Sequence, residues 1–111
     1  MSINLIKLPK VVIITEKLIE EQVFQILRDN DATGYTVLNA SGQGSRNIRS
    51  STDSANLVDD FTNVQIEVIL EDREHAVHVM EDITAKLFKN FSGITFLEEI
   101  EVVRRAKFKK H

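Results

Sequence analysis

The sequence predicts an α+β domain with four strands and two helices in the order β-α-β-β-α-β. Two patterns predict it: apolar residues recur at strand spacing in four segments, and at helical spacing in two segments between them. The length is a third observation, because 111 residues make a single domain, here residues 1–111, that can bury its own core.

The first half of the chain contains a strand, a helix and a second strand. Residues 10–15 are a β-branched run, which is typical of a strand that is buried on both faces. A helix is predicted over residues 16–30, and Asp29-Asn30-Asp31 ends it. Its expected core positions are Leu18, Ile19, Val23, Ile26 and Leu27. Gly34 then opens a strand over residues 35–40.

The second half repeats this order after a long polar segment. Residues 41–62 are rich in Gly, Ser, Asn, Asp and Thr, and a loop this long in a compact domain is usually functional or disordered. A strand follows over residues 63–70, and then a helix that runs to about Asn90. Its core stripe is Ala76, Val79, Met80, Ile83 and Leu87. Gly93 breaks the helix before a last strand over residues 94–103.

The two predicted helices cover only one face of the predicted sheet. The order of elements places both helices on one face of an antiparallel sheet. Residues 11–14 and 68–70 nevertheless carry apolar side chains toward both faces. We therefore expect copies of the chain to pack on the second face as a homo-oligomer, the alternative being a monomer with a tolerated apolar patch.

The composition excludes several classes of function. The chain has no cysteine, which excludes disulfides, thiolate metal sites and cysteine nucleophiles. No apolar run approaches the ~20 residues that cross a bilayer, so we expect a cytoplasmic protein. The net charge of −3 argues against nucleic acid as a partner. Residues 104–111 form a basic tail, which we interpret as a solubilising end.

A glycine-serine segment with two arginines is the strongest candidate binding feature. Gly42 and Gly44 allow backbone N–H groups to approach a ligand closely, and Arg46 and Arg49 can each bind phosphate oxygens bidentately. A phosphate or carboxylate is the expected ligand. The segment is neither a P-loop nor a dinucleotide fingerprint, because neither motif's spacing is present. A solvated flexible loop is an equally open interpretation.

Catalytic and metal sites are not indicated. His75 and His78 have a spacing that can bind a metal, but no third ligand is evident and their acidic neighbours are typical of a solvated helix face. No nucleophile elbow is present, and carboxylate pairs such as Glu20-Glu21 fall on polar faces. We expect a protein that is not an enzyme and needs no cofactor.

Three segments of this sequence resemble one family. They are residues 12–17 (Val-Ile-Ile-Thr-Glu-Lys), residues 34–51, which include the glycine-serine segment, and residues 91–94 (Phe-Ser-Gly-Ile). Together they resemble PII-like signalling proteins of the SbtB type, which regulate the cyanobacterial sodium-dependent bicarbonate transporter SbtA. The resemblance spans roughly residues 10–103.

The resemblance implies a fold, an assembly and a ligand class. The family has a ferredoxin-like fold and forms trimers whose sheets face inward. It binds adenine nucleotides (cAMP, AMP, ADP and ATP) in clefts between subunits, with a divalent ion as a candidate companion of ATP. Residues 41–62 correspond to the T-loop, which contacts the target protein.

The resemblance also implies which residues bind the nucleotide. Arg46 and Arg49 would contact phosphate, helped by Gly44 and Ser45, and Arg105 would approach a phosphate as well. The adenine and ribose would be lined by Tyr35, Thr36, Val37 and Gly93. The SbtB-type C-terminal loop with its Cys-Gly-Pro-x-Gly-Cys pattern is missing, so the redox control or nucleotide hydrolysis tied to that loop is not implied here.

The expected function is regulation of a membrane bicarbonate transporter in a CO2-concentrating mechanism, with the protein at the membrane surface when it is bound to SbtA. Three alternatives stay open. One is a carboxysome-associated sensor of adenine nucleotide and bicarbonate, the second is a slow nucleotide phosphatase, and the third is a structural trimer with an idle loop.

Overall fold

The computed structural model describes residues 3–40 and 63–103. The elements in these residues, in chain order, are β1 (Ile6–Glu16), a 3-10 turn (Lys17–Ile19), α1 (Glu20–Asp29), β2 (Thr36–Ala40), β3 (Asn63–Ile69), α2 (Arg73–Lys86) and β4 (Gly93–Val102). The predicted α+β order, β-α-β-β-α-β, is confirmed.

The strands form one antiparallel sheet in the order β2-β3-β1-β4. β1 lies in the middle, because Val11 is opposite Val68 of β3 on one side and opposite Leu97 of β4 on the other. β2 and β4 are therefore the two edges of the sheet. This position explains the β-branched run in β1, since residues 10–15 have a paired strand on each side.

Both helices pack on one face of the sheet. Val11 and Ile13 of β1 point to that face, where they join alternate residues of β3 and the apolar stripes of the helices. The buried members from the other elements include Val64, Ile66, Val68, Val23, Ile26, Leu27, Ala76, Val79 and Ile83. This core fixes the positions of the strand ends, where the candidate site lies.

The prediction that Leu18 lies in the core is wrong, because its side chain is 80% exposed. The α-helical turns begin at Glu20 rather than at residue 16, so Leu18 falls in the 3-10 turn, out of phase with the stripe of α1. β1 begins four residues earlier than predicted, because Ile6 to Pro9 pair with β4.

The second face of the sheet carries apolar side chains that no described helix covers. Leu38, Ile94 and Phe96 lie on this open face and are 50%, 57% and 37% exposed. Within it the Lys10 ammonium lies 3.5 Å from a Glu67 carboxylate oxygen and 3.2 Å from one of Glu98. The predicted two-faced sheet is thus confirmed.

Candidate ligand-binding corner

The ends of all four strands meet at one end of the sheet. β2 ends at Ala40 and β3 begins at Asn63, which is opposite both Ala40 and Glu16. β4 begins at Gly93, opposite Thr15. We call this place, formed by Ala40, Asn63, Thr15, Glu16 and residues 91–93, the loop corner. Ala40 and Asn63 flank residues 41–62, so that segment leaves and rejoins the sheet at the loop corner.

Ser92, in the turn between α2 and β4, is held from both sides by the end of β1. The Thr15 hydroxyl donates a hydrogen bond of 2.7 Å to the Ser92 carbonyl. The Ser92 N–H donates a hydrogen bond of 2.8 Å to Glu16 Oε2. A bond from a backbone N–H to a carboxylate is among the stronger protein hydrogen bonds. The 91–93 turn is therefore fixed in place before any ligand arrives.

Gly93 brings exposed backbone to the same corner. A Cβ atom at this position would lie 2.5 Å from Cζ of the Phe88 ring and 2.9 Å from Thr15 Oγ1. A side chain of any size at residue 93 would therefore clash with Phe88 and Thr15, whereas glycine leaves its backbone accessible to close contact. The nucleotide contact that the resemblance implies for Gly93 stays a prediction.

The other described residues of the expected nucleotide site lie on the far edge of the sheet. Tyr35 packs into the core, with its ring stacked on Phe24 at 4.9 Å between centroids. Thr36 and Val37 are exposed on β2, which is separated from β4 by three strand spacings, or about 14 Å. Within one chain, these residues and Gly93 are not brought together. A site that uses both edges would need two copies of the chain.

The remaining expected contacts lie outside the described residues. They are Gly44, Ser45, Arg46 and Arg49 in the segment that joins Ala40 to Asn63, and Arg105 after β4. Their nucleotide contacts stay predictions.

Thr15 and Glu16 were not singled out as site residues by the sequence. Their role depends on hydrogen bonds to a residue 77 or 76 positions away, which no local pattern reveals. The one available signal was that both lie within residues 12–17, the first segment of the family resemblance.

A cavity elsewhere has the wrong charge for a phosphate. It has a volume of about 520 Å³ and lies between the end of α1 and the start of α2. Its lining is Asp29, Asn30, Asp31, Glu71, Asp72, Glu74, His75 and His78. His75 is buried, and its ring Nε2 contacts the Asn30 carbonyl oxygen. Within residues 3–40 and 63–103, no group of three or more His, Cys, Asp or Glu side chains is arranged to hold a metal ion.

Neither helix in the described part of the chain is long and apolar enough to span a bilayer.

Comparison with known proteins agrees with the fold. The chain is similar to a PII-like signalling protein from Thermus thermophilus, with 30% identity, 95% of this chain and 98% of that chain covered, and a TM-score of 0.75. It is also similar to CPII from Thiomonas intermedia bound to ADP and bicarbonate, with 28% identity, coverage of 96% and 99%, and a TM-score of 0.79.

The same Thiomonas protein bound to ADP, AMP and acetate matches with 28% identity, coverage of 96% and 99%, and a TM-score of 0.77. The family model described as nitrogen regulatory protein P-II matches residues 8–107, which is nearly the whole chain. The chain therefore belongs to the nitrogen regulatory protein P-II family.

Proposed function

We propose that this PII-like signalling protein binds adenine nucleotides at seams between copies of the chain and reports them through residues 41–62. The observation that carries the proposal is the loop corner. There, the polar segment with its two arginines is attached beside a turn whose glycine backbone is exposed and whose Ser92 is clamped by Thr15 and Glu16. CPII, which is similar over nearly all of this chain, has been seen with ADP and AMP.

The charges of the expected ligand match the two parts of the site. Arg46 and Arg49 would bind the phosphates, because guanidinium groups form bidentate bonds to phosphate oxygens, and Gly44 and Ser45 would add donors. The 91–93 turn would receive the adenine and ribose, which carry no charge. The candidate ligands are cAMP, AMP, ADP and ATP, the last with a divalent ion where its phosphates need one.

The seam would arise from a homotrimer. The open face carries Leu38, Ile94 and Phe96, and burial of the part that each still exposes would contribute roughly half of the 1.5–3 kcal/mol that a fully exposed side chain gives. Around a threefold axis, edge β2 of one copy can approach edge β4 of the next. Thr36 and Val37 of one chain would then face Gly93 of its neighbour, which the single chain does not allow.

Signalling would follow from order imposed on the loop. A bound phosphate would neutralise Arg46 and Arg49 and fix residues 41–62 at their base, and a partner would read that state. The partner we propose is the bicarbonate transporter SbtA, to which the protein would bind at the membrane surface from the cytoplasm. In this proposal the protein is a sensor and not an enzyme.

A second function is favoured by one observation: CPII has been seen with ADP and bicarbonate together. A sensor of both ligands, associated with the carboxysome, would use the same seam and read nucleotide and inorganic carbon jointly.

A thermal-shift panel separates these proposals. Purified protein is heated with cAMP, AMP, ADP or ATP, with and without Mg²⁺ and bicarbonate, and GTP is the control nucleotide. A ligand at 100 times its Kd stabilises the folded state by about 2.7 kcal/mol, which is easily measured. Shifts that need bicarbonate favour the joint sensor, and co-sedimentation with membranes that contain SbtA favours the transporter regulator. Sustained phosphate release from ATP, or no shift with any adenine nucleotide, would contradict the proposal.

A further inference from the structure

We propose that Glu16 is a positioning residue of the ligand site: its carboxylate latches the 91–93 turn in the geometry that receives the ligand. This inference rests on the proposed nucleotide site and adds to it a residue that never touches the ligand.

The latch is visible in the hydrogen bonds of Ser92. Its N–H donates to Glu16 Oε2 at 2.8 Å, while its carbonyl accepts from the Thr15 hydroxyl at 2.7 Å. Both backbone polar groups of Ser92 are thus tied to consecutive residues at the end of β1. The bond to Glu16 is the charge-assisted one, so its loss releases the turn more than the loss of an ordinary hydrogen bond would.

The latch also decides what the turn can bind. A backbone N–H that is already bound to a carboxylate is no longer free to hold an anion, and the carboxylate repels a phosphate that approaches it. The nearest basic residue in sequence, Lys17, pairs with Glu20 at 3.6 Å. The turn is therefore suited to the uncharged part of a nucleotide rather than to its phosphates.

Glu16 also connects the turn to the loop. Its backbone is opposite Asn63 in the β1–β3 register, at the point where residues 41–62 rejoin the sheet. Glu16 thus contacts the turn through its side chain and the first residue of β3 through its backbone pairing.

Two variants of Glu16 and one control test the latch. Glu16→Gln keeps an acceptor oxygen, whereas Glu16→Ala removes it. The control, Asn30→Ala, removes hydrogen bonds to the Ile26 carbonyl and to Asp82, at the end of α1 that lies away from the loop corner. For each protein, ADP affinity is measured by calorimetry, and amide hydrogen exchange is measured at residues 91–93.

We expect Glu16→Ala to weaken ADP binding and to speed Ser92 exchange by about tenfold each, and Glu16→Gln to stay within about twofold on both. Asn30→Ala lowers Tm without changing ADP affinity. Unchanged Ser92 exchange in Glu16→Ala would overturn the latch. Faster exchange with unchanged ADP affinity would overturn its role in positioning.

The failure of the proposed function gives a different result. A wild-type protein that binds no adenine nucleotide overturns the nucleotide site, and with it any positioning role of Glu16, even where Ser92 exchange shows the latch itself to be present. Glu16→Gln binding ADP as weakly as Glu16→Ala, with Ser92 exchange still at the wild-type rate, would show that residue 16 acts on the ligand and not through the turn, which would also overturn the proposal.

Discussion

The ring of Phe88 occupies the space in which a Cβ atom on Gly93 would lie, with ring atom Cζ 2.5 Å from that position. The first residue of β4 is therefore restricted to glycine by the aromatic residue that follows α2. Thr15 Oγ1 lies 2.9 Å from the same position, so displacement of the ring alone would leave the added atom close to the hydroxyl that donates to Ser92.

Gly93→Ala should destabilise the protein by about 1–3 kcal/mol, because the added methyl group overpacks the corner. It should also weaken ADP binding, since the 91–93 turn must move to relieve the contact. Denaturant unfolding and calorimetry measure the two effects. Phe88→Leu should restore part of the stability in the Gly93→Ala background, and purely additive effects in this double-mutant cycle would show that the ring is not the cause.

Lys10 balances two carboxylates on the open face, and its replacement should weaken assembly. Lys10→Met would leave Glu67 and Glu98 without their shared cation on a surface that we expect to be covered. We expect the dissociation constant of the oligomer to rise roughly tenfold or more, since unpaired buried charges are costly. Sedimentation velocity measures this. Lys7→Met, which removes an exposed lysine from the same strand, is the matched control.

A Lys10→Met protein that assembles as tightly as the wild type would mean that the open face is not the interface.

The pH dependence of folding stability is a separate check on the pairing of Lys10 with its two carboxylates. The hydrogen bond from Lys10 to Glu98, aided by Glu67, raises the pKa of Lys10 above its ordinary value of 10.5. Because the folded pKa is the higher one, this stabilisation is complete below pH 10.5 and is lost as the pH rises through the raised value.

Asp82 links the two helices in a pH-dependent way. The Asn30 side chain donates a hydrogen bond of 3.0 Å to Asp82 Oδ2. This bond, aided by Lys86 and His78, lowers the pKa of Asp82 below its ordinary value of 3.8. The unfolded chain therefore takes up the proton first as the pH falls. The stabilisation is present above pH 3.8 and is lost as the pH falls through the folded pKa.

Asp82→Asn should cost about 0.5–1 kcal/mol at pH 7, because the side chain is partly exposed and solvent screens its charge. The difference from the wild type should shrink toward zero as the pH falls from 3.8 through the lowered folded pKa of Asp82, where the wild-type carboxyl is itself neutralised. Urea unfolding at a series of pH values measures it. A cost that is the same at every pH would assign the effect to packing rather than to charge.

The sequence predicted the sheet and helices well because their side chains follow simple periods. Alternation in β1 predicted apolar side chains toward both faces, and in the structure Val11 and Ile13 lie on the helix face. Leu18 misled the helix prediction, because an apolar residue at helical spacing looks the same whether the first turn is α-helical or 3-10. The early start of β1 depends on pairing with β4, about 90 residues away, and no local signal carries it.

The site was predictable only in part. Gly93 was singled out through the family resemblance as a nucleotide contact, which stays a prediction, while the Phe88 ring gives a packing reason for glycine at this position. Thr15 and Glu16 act through hydrogen bonds to a distant backbone, which a sequence pattern does not show. Tyr35 was expected beside the adenine; in the single chain its ring stacks on Phe24, and its ligand contact stays a prediction.

The central claim is that adenine nucleotides bind at the loop corner with their phosphates held by Arg46 and Arg49, and calorimetric titration of ADP into the wild type and Arg46→Ala tests it most directly. Arg28→Ala is the control, because it also removes an arginine. The Arg28 side chain is exposed on α1, and its guanidinium Nη2 lies 3.8 Å from Glu21 Oε1. The account predicts saturable binding by the wild type and by Arg28→Ala, and binding weaker by about 1–3 kcal/mol for Arg46→Ala. Equal ADP affinity in all three proteins, or no binding by the wild type, would contradict it.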